Sequence, residues 1–565
     1  MKTIVQRRAE LSARFPKWIE RTLHQTLDMA ADEFAERPFI VTDLRTWTYA
    51  EIAQWSRRLA RGLSQNGVRK GENVAIIMGN YPEFVALKFA ISRVGAIAVP
   101  INVLNRASEI EYLLRQSDAV LLVTMDSFRD NNYLASLDAI APDWEIRGGG
   151  EALPHLRCVI VFPTEMGCSE RAEARDFASL DVVPGAEADV DVDPQADCDI
   201  IYTSGTTGSP KGVLLSHDME ARTAFGSAYA RAFEDGHRIL FSLPMYHVFG
   251  YSEGLLSVMF VGGAIVPQVR FDPAETLAGI ERHRATDVLL IPTMTLAVLE
   301  AADVRQYDLS SLHLALASGG RAPERIWQAL KDKLGVAEIT TGYGMTETTA
   351  STTVTRPDDP MEMLLHTNGR QRDVGPAGDA RAGGRLVSYR VVDPQTDEVL
   401  HPGEVGELRA QGLGVTRGYY NKPEATAAAF DADGWLRTGD LGRIDADGYV
   451  TLVGRTKESY RCGGEQVLPS EIEDVLTGHP DVLQAHVVPI PDDRMGEVGV
   501  AFVVLRNDAN VTVAEIGARA AARLARFKVP RHYLLVSETD IPTTASGRAR
   551  KFMLAEMALK MLELT

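Results

Sequence analysis

Short apolar runs rich in β-branched residues recur along the chain and are typical of buried β-strands. Examples cover residues 73–78, 119–124, 158–162, 199–203, 238–243 and 287–292. Helical patterns such as those at residues 82–94 and 323–334 lie among these runs. This alternation predicts βα units and mostly parallel sheets, in an α/β fold whose functional loops follow the ends of strands.

The sequence pattern changes in the later part of the chain. Residues 181–199 are rich in acidic residues, Pro and Ala, which predicts an exposed connector. Residues 386–448 contain short strand patterns and turn signals, which predict a β-rich subdomain. The last stretch of about a hundred residues mixes helix and strand patterns and is long enough to fold separately. We therefore predict an N-terminal domain at 1–456, with the β-rich subdomain at about 380–456, and a small α+β C-terminal domain at 457–565.

The composition is that of an ordinary globular protein, with 565 residues, of which 45% are hydrophobic and 24% are charged. Lys and Arg number 59 against 77 Asp and Glu, so the net charge is -18. Such a field repels nucleic acids and anionic membranes, and we expect neither as a partner. A polyanion such as ATP therefore needs a local site of backbone N–H groups, a lysine and a metal ion.

The cysteines and the apolar stretches indicate the compartment. Cys158, Cys168, Cys198 and Cys462 show no CxxC spacing, and four cysteines in so long a chain argue against a disulfide framework or a structural zinc site. The N-terminus has no apolar signal region, and no later stretch is apolar enough to predict a membrane span. We expect a cytoplasmic protein.

One loop is the strongest indication of chemistry. It follows the apolar run at 199–203 and reads Thr-Ser-Gly-Thr-Thr-Gly-Ser-Pro-Lys-Gly at residues 203–212. Glycines allow backbone N–H groups to approach a ligand, hydroxyls can donate to phosphate oxygens, and a lysine supplies a point charge. A flexible surface turn is the alternative for such a cluster. The order of the residues favours a phosphate site, with candidates Thr203, Ser204, Gly205, Thr206, Thr207 and Lys211.

The loop resembles the signature loop of the adenylate-forming enzymes, which include acyl-CoA synthetases, aryl-CoA ligases, luciferases and adenylation domains of peptide synthetases. Other segments match family motifs in the family's order. They are the gate-histidine segment at 244–247, the adenine-contacting segment at 319–323, YGxTE at 343–347, GEL at 406–408, TGD at 438–440 and the hinge motif at 455–464. The resemblance implies a large N-terminal domain, a small mobile C-terminal domain and a ligase that forms carbon–sulfur bonds.

The resemblance also implies roles for the first half-reaction, in which a carboxylate attacks ATP to give acyl-AMP and pyrophosphate. Glu347 would hold Mg²⁺, and His247 would border and gate the acyl pocket. Asp440 would accept hydrogen bonds from the ribose hydroxyls, although an isolated Asp is more often a turn residue. For His247 the alternative is a packed core residue, which is the commoner role of a lone His in an apolar segment. The motif context overrides both readings. The implied nucleotide-binding residues are Thr203, Ser204, Gly205, Thr206, Thr207, Lys211, Gly320, Tyr343, Thr346, Asp440 and Arg455.

For the second half-reaction, the resemblance implies that coenzyme A attacks the acyl-AMP after the C-terminal domain rotates about the hinge at Lys457. Cys462, Gly463 and Gly464 would line the pantetheine channel, with Gly464 also counted among the catalytic positions, and Lys528 would flank the nucleotide end of coenzyme A. Cys462 has no partner His or acid in a recognised motif, so a packed residue is preferred to a nucleophile.

The chain departs from the family at one catalytic position. Residues 541–548 resemble the motif PxxxxGK, but the last residue is Arg548 in place of the catalytic lysine. Arginine keeps the charge but has a larger, planar fork. Two interpretations stay open. Either adenylation is slowed or lost while thioester formation from a preformed acyl-AMP persists, or Arg548 replaces the lysine adequately. Lys551, three residues on, is not expected to substitute.

The segments at 246–256, 316–321 and 341–346 are mostly apolar or small, and apart from Glu253 they show no acid that could pair with an amino group. They favour a neutral, apolar and bulky carboxylic acid over an amino acid. Free coenzyme A is the expected acceptor, because seventeen residues follow Arg548. The alternatives are a luciferase-type enzyme, an acyl-AMP ligase that loads a separate carrier protein, and a nucleotide-binding protein without turnover. Whether the chain forms a homodimer stays open.

Overall fold

The structure, a computed structural model, describes residues 2–164, 173–183, 190–203, 210–302, 306–318, 324–506, 509–543 and 549–562. Two large mixed sheets occupy much of the first 340 residues. The spatial order of the first is Glu338–Thr340, Leu314–Ala317, Asp287–Leu290, Arg238–Phe241, Ala264–Pro267, Pro38–Val41 and Thr46–Thr48. The spatial order of the second is Lys211–Ser216, Asp197–Thr203, Ile97–Pro100, Asn73–Ile77, Ala119–Met125, Cys158–Phe162 and Arg175–Asp176.

Both sheets are mostly parallel, as the alternation of strand and helix patterns predicts. Thr46–Thr48 and Lys211–Ser216, each at an edge, run antiparallel to their neighbours. The predicted strands at 73–78, 119–124, 158–162, 199–203, 238–243 and 287–292 are confirmed with small differences at their ends. One such difference is Pro292, which begins the helix Pro292–Ala302 because proline suits the first turn of a helix.

The helices pack against these sheets and connect their strands. Thr22 and Thr48 begin two of them with capping boxes, in which the threonine hydroxyl and a Gln or Glu three residues later satisfy backbone N–H groups reciprocally. The α-helices of the described residues are Ile4–Arg14, Leu23–Phe34, Tyr49–Gln65, Pro82–Arg93, Ala107–Gln116, Tyr133–Ile140, Trp144–Arg147, His217–Ala230, Pro273–His283, Pro292–Ala302, Glu324–Leu334, Met361–His366, Pro423–Ala429, Pro469–Thr477, Val513–Arg523 and Lys551–Met561. None of them is both long and apolar enough to cross a membrane.

Smaller sheets follow later in the chain. One contains Gly342–Met345, Ala350–Val354 and Arg370–Gln371. The predicted β-rich segment is an antiparallel sheet of Val387–Val392, Gly406–Gly412, Leu436–Ile444 and Val450–Arg455. The C-terminal part has a sheet of Glu465–Val467, Tyr460–Cys462, Gly496–Leu505, Val482–Asp492 and His532–Leu535. A short hairpin joins Ser127–Phe128 to Asn131–Asn132.

The predicted connector at 181–199 ends earlier than expected. The strand Asp197–Thr203 already begins within it, and the Asp199 side chain is fully buried, where it forms an ion pair with the buried Lys88. Glu220 is buried near this ion pair, and the Asp199 carboxylate raises its pKa. The predicted solvent exposure is therefore wrong for Asp199. Lys88, from the helix Pro82–Arg93, supplies the cation that compensates the burial of this carboxylate.

Candidate functional site

The predicted phosphate loop connects two antiparallel strands. Asp197–Thr203 and Lys211–Ser216 pair so that Thr203 lies opposite Lys211. The predicted contacts of Ser204, Gly205, Thr206 and Thr207 fall outside the described residues. Tyr112 fixes the far side of the loop by donating its hydroxyl to the carbonyl of Pro210, at 3.0 Å. The hairpin therefore presents Thr203 and Lys211 at the two ends of the glycine-rich segment.

Tyr419 connects this hairpin to Glu347. The Nζ of Lys211 lies 4.8 Å from the centroid of the Tyr419 ring, a cation–π distance. The Tyr419 hydroxyl donates to Oε1 of Glu347 at 3.1 Å. Tyr419 also forms a β-bridge with Val213, which lies in the second strand of the hairpin. Tyr419 had no signal in the sequence, because a tyrosine in a Gly-Tyr-Tyr segment indicates no chemistry until the fold places it between two charged groups.

Glu347 lies in a tightly built turn after the strand Gly342–Met345. A Cβ on Gly344 would lie 1.8 Å from the carbonyl oxygen of Ala350, so only glycine allows this close approach. Thr349 and Ala350 both adopt left-handed backbone angles, with φ of 55° and 69°. Such angles are strained for residues with a Cβ, above all for a β-branched threonine, and strain of this kind often occurs at functional sites. The turn holds Glu347 with only 7% of its surface exposed.

Three predicted nucleotide-binding residues meet in one cluster. The Tyr343 hydroxyl donates to Oδ2 of Asp440 at 2.7 Å, and Nε of Arg455 lies 2.7 Å from Oδ1 of the same carboxylate. Asp440 and Arg455 are opposite each other on neighbouring strands of the antiparallel sheet. A carboxylate offers about four lone-pair sites, so Asp440 keeps acceptor capacity for ligand hydroxyls.

Electrostatics link this cluster to Glu347. Burial raises the pKa of Glu347; the Tyr419 hydrogen bond and the Arg455 cation lower it, and Asp440 raises it further. Burial would lower the pKa of Arg455, but the Asp440 carboxylate reverses the effect, and the net direction is upward. Burial, together with Asp440, also raises the pKa of the Tyr343 hydroxyl well above its usual range. Arg455 and Tyr343 therefore stay protonated as donors at neutral pH.

The donor set around Glu347 fits a substrate-borne Mg²⁺ ion. In the described part of the chain, no group of three or more His, Cys, Asp or Glu side chains is arranged to hold a metal by itself. Mg²⁺ is commonly bound by one or two carboxylates together with substrate phosphates and water. Thr346 is buried beside Glu347 in the same turn. A single buried carboxylate near the phosphate hairpin matches that mode.

His247 begins a segment with unusual helical geometry. Its carbonyl accepts from the N–H of Tyr251, and the π-helix Phe249–Leu256 follows. Single π-helical turns occur frequently at functional sites. Burial lowers the pKa of His247 to about 4, and its Nδ1 accepts from the N–H of Phe249 at 3.3 Å. The imidazole is therefore neutral at physiological pH, which agrees with a positioning role better than with proton transfer. Its neighbour Val248 packs in an apolar cluster with Ile201 and Val213 of the hairpin strands.

The residues predicted for the second half-reaction lie among the C-terminal elements. Lys457 is exposed just after Arg455. Cys462 is buried, burial raises the pKa of its thiol, and it lies opposite Glu465 and Gly496 on the two neighbouring strands. Lys528 pairs with Glu471 at 2.6 Å. Among the described residues, neither Cys462 nor Lys528 forms a hydrogen bond or ion pair with Asp440.

The turn at Gly463 and Gly464 is shaped for a close approach. Both residues have positive φ, of 63° and 89°, and the N–H of Gly463 donates to the carbonyl of Met495. A Cβ on Gly463 would lie 2.6 Å from the Met495 side chain, whereas a Cβ on Gly464 would meet open space. The predictions for Gly320 and Arg548 fall outside the described residues.

Comparison with family models gives two matches in chain order. Residues 27–420 match the model described as AMP-binding enzyme, and residues 471–548 match the model described as AMP-binding enzyme C-terminal domain. The chain belongs to the AMP-binding enzyme family. Its fold class and the resemblance to adenylate-forming enzymes are thereby confirmed, and a nucleotide is the ligand expected of this family.

Relatives of known name agree with this assignment. The chain is 33% identical over 539 residues to a Mycobacterium tuberculosis CoA ligase named for a methyl-dioxo-octahydroindenyl propanoyl group, covering 95% of this chain and 99% of the relative. It is 31% identical over 562 residues to the mitochondrial medium-chain acyl-CoA ligase ACSF2 of Danio rerio, covering 96% and 89%. The predicted enzyme class, a ligase of the acyl-CoA synthetase type, is confirmed at the level of the family.

The fold has close matches among solved structures of AMP-binding enzymes. The crystal structure of the anthranilate CoA ligase AuaEII in complex with anthranoyl-AMP is similar with a TM-score of 0.83 and 25% identity, covering 98% of this chain and 100% of that chain. An AMP-binding enzyme fold over nearly the whole chain accounts for both the parallel sheets and the separate C-terminal sheet.

Proposed function

We propose that this enzyme joins a carboxylic acid to coenzyme A through an acyl-adenylate. In the first step a carboxylate oxygen attacks the α-phosphorus of ATP, an acyl–phosphate bond forms and pyrophosphate leaves. In the second step the thiol of coenzyme A attacks the acyl carbonyl, a thioester forms and AMP leaves. The observation that carries the proposal is the convergence of Asp440, Arg455 and Tyr343 with Glu347 and the phosphate hairpin.

The contacts support a division of labour among these residues. Asp440, oriented by Tyr343 and Arg455, would accept hydrogen bonds from the ribose hydroxyls. Lys211 and the loop after Thr203 would bind the phosphates. Glu347 would hold the Mg²⁺ that arrives with ATP, and the ion would neutralise charge on the phosphates as two anions approach. The neutral His247 would border the acyl group.

We propose a neutral, apolar and bulky acid as the substrate. The π-helix after His247 is built of buried residues, among them Tyr251 and Leu255, and the buried Tyr246 precedes it. An acyl group bound beside this segment would meet mostly apolar side chains, and the carboxylate of the segment, Glu253, is already paired with Arg372. The relatives named for a bicyclic propanoyl group and for medium-chain acids point in the same direction.

We propose further that Arg548 slows adenylation while leaving thioester formation intact. A guanidinium cannot occupy the point position of an ammonium between the substrate carboxylate and the α-phosphate. Lys551 supports this view, because its Nζ is held 2.7 Å from Glu473 and 3.3 Å from Glu458. A lysine engaged by two carboxylates beside the hinge has no free charge to bring to the phosphate. We also propose that the C-terminal domain begins at residue 457, because the hinge lies between the strand that ends at Arg455 and the C-terminal sheet.

Two half-reaction assays test the proposal. Pyrophosphate exchange into ATP reports adenylation, and thioester formation from a synthetic acyl-AMP reports the second step. We expect slow exchange and fast thioester formation in the native enzyme, and faster exchange in Arg548→Lys. Robust exchange that Arg548→Lys does not improve would contradict the role of Arg548. Absence of both reactions with a panel of bulky acids, together with thermal stabilisation by ATP, would favour a nucleotide-binding protein without turnover.

The acceptor needs a separate comparison. The same synthetic acyl-AMP is offered with coenzyme A or with a holo-carrier protein. We expect the enzyme to prefer coenzyme A. A strong preference for the carrier protein would establish an acyl-AMP ligase that loads carriers, and light emission in air without a thioester would establish a luciferase-type reaction.

A further inference from the structure

A cavity lined by arginines lies between the N-terminal helix and the sheet that follows Glu347. Its volume is about 80 Å³, and Arg8, Arg356, Arg370, Arg372 and Asp373 contribute to its lining. It contains none of the residues of the nucleotide site. Four guanidinium groups in one small cavity are unexpected in a chain whose net charge is -18. We call it the arginine cavity.

The positive charge of the arginine cavity is only partly compensated. Arg372 is buried and pairs with Glu253 at 2.9 Å. In the part of the chain that the structure describes, the guanidinium groups of Arg356 and Arg370 form no ion pair with a carboxylate within 4.0 Å, although the backbone N–H of Arg356 donates to Asp359. The lining therefore keeps an excess of positive charge even after Asp373 and Glu253 are counted.

The arginines of the cavity differ in how far the protein satisfies their hydrogen-bond donors. The Nε atoms of Arg370 and Arg372 are buried without a partner among the described residues. Burial and the nearby Arg356 cation lower the pKa of Arg8, which Asp358 and Asp373 offset only in part. Buried donors and unpaired cations are costly unless water or an anion satisfies them. Arg8 donates to the carbonyls of Tyr229 and Ala230, and Arg372 donates to Glu253, so the guanidinium groups of Arg356 and Arg370 are the ones left to meet an anion.

The size and the donor type define the ligand. A water molecule needs only about 10–15 Å³ of such cavity volume, so a cavity of about 80 Å³ has room for one small ion. The planar fork of arginine matches phosphate oxygens with two parallel N–H donors. We propose that the arginine cavity binds one inorganic phosphate ion, at a site separate from the nucleotide site.

The structure also gives the cavity a physical connection to the catalytic region. Arg372, at the cavity wall, pairs with Glu253, and the Oε1 of Glu253 also accepts from the N–H of Ser351 at 3.1 Å. Glu253 belongs to the π-helix after His247, and Ser351 follows the strained turn after Glu347. An anion in the arginine cavity would therefore lie next to the ion pair that connects these two segments.

Inorganic phosphate is the probe, titrated into the full-length protein at constant ionic strength set with chloride. Binding is read by calorimetry and by the rise in the thermal unfolding midpoint, because a ligand that binds the folded state stabilises it. The nucleotide loop is a competing site, so Lys211→Ala is measured in parallel. Arg356→Gln/Arg370→Gln tests the cavity, and Arg381→Gln, whose side chain is 87% exposed, is the matched control.

We expect the native protein, Lys211→Ala and Arg381→Gln to bind phosphate alike, and Arg356→Gln/Arg370→Gln to bind at least tenfold more weakly. Sulfate, a tetrahedral dianion, should compete, whereas acetate should not. Absence of saturable binding, or loss of binding in Lys211→Ala with retention in the double variant, overturns the proposal. If the double variant does not fold, Arg356→Lys keeps the charge and removes the fork. A folded Arg356→Lys protein with native affinity would also overturn it.

Discussion

Tyr419→Phe tests how the hydrogen bond from Tyr419 affects the pKa and the metal binding of Glu347. The substitution removes one hydroxyl, which donates to Oε1 of Glu347 at 3.1 Å. The ring stays, and with it the cation–π contact of Lys211 at 4.8 Å and the packing against the apolar cluster under the hairpin. Any change in function therefore reports the hydrogen bond to the carboxylate rather than a loss of packing.

The magnitude follows from the kind of bond that is removed. A hydrogen bond to a charged group contributes about 1.5–3 kcal/mol, which corresponds to a factor of about 10–160 in an equilibrium constant. Glu347 must be ionised to bind a divalent cation. Burial raises its pKa, and the Tyr419 hydrogen bond lowers it. Removal of the hydroxyl raises this pKa further, so metal binding should weaken most at acidic pH and recover as the pH rises.

The assay is the affinity for Mn²⁺, a paramagnetic substitute for Mg²⁺, in the presence of ATP and across the acidic pH range. We expect Tyr419→Phe to shift the acid limb of metal binding to higher pH. Tyr420→Phe is the matched control, because it removes a hydroxyl that donates to Asp118 at 3.1 Å. Unchanged affinity and an unchanged acid limb in Tyr419→Phe would contradict this prediction, as would an equal shift in both variants.

Three further predictions concern stability. Lys88→Met leaves the Asp199 carboxylate buried without its cation and should lower the free energy of unfolding, measured in urea, by about 3–5 kcal/mol. The double variant Lys88→Met/Asp199→Asn should recover part of this loss. A loss below about 1 kcal/mol in Lys88→Met would contradict the prediction. Burial, together with Asp199, raises the pKa of Glu220, so the folded protein favours the protonated carboxyl group. The contribution of this group to the free energy of unfolding is full below the ordinary carboxyl pKa and is lost as the pH rises through the raised pKa. Glu220→Gln should remove that decline from unfolding curves measured at several pH values, and an unchanged decline would assign it elsewhere. Lys551→Met breaks the 2.7 Å pair with Glu473 and should cost about 1–3 kcal/mol in thermal unfolding, whereas a neutral effect would show that the pair contributes nothing.

Local sequence was sufficient for much of the fold and part of the site. A period of two or a continuous apolar run marks a strand, so the strand at 158–162 was predicted with both ends correct. The phosphate loop was predicted at the end of such a run, because the order of its glycines, hydroxyls and lysine favoured a phosphate site over a surface turn, and that role stays a prediction. Asp440 and Arg455 were singled out through family motifs, and the structure brings them together on neighbouring strands.

Other features had no local signal. Tyr419 is far from Lys211 and Glu347 in sequence, and nothing in its neighbours indicates that it contacts both. The connector composition suggested solvent around Asp199, although Lys88 from a distant helix allows its burial. Arg8 and Arg356 share a cavity although more than half of the chain separates them. Each feature depends on contacts between segments that come together only in the folded chain.

Strand and helix order, the composition of the phosphate loop and the family motifs could be read from neighbouring positions along the chain. The burial of charges, their pairing and the direction in which the pKa of Glu347 moves became known from the folded protein. Desolvation and Coulomb energies depend on distances in space, and residues remote in sequence set those distances.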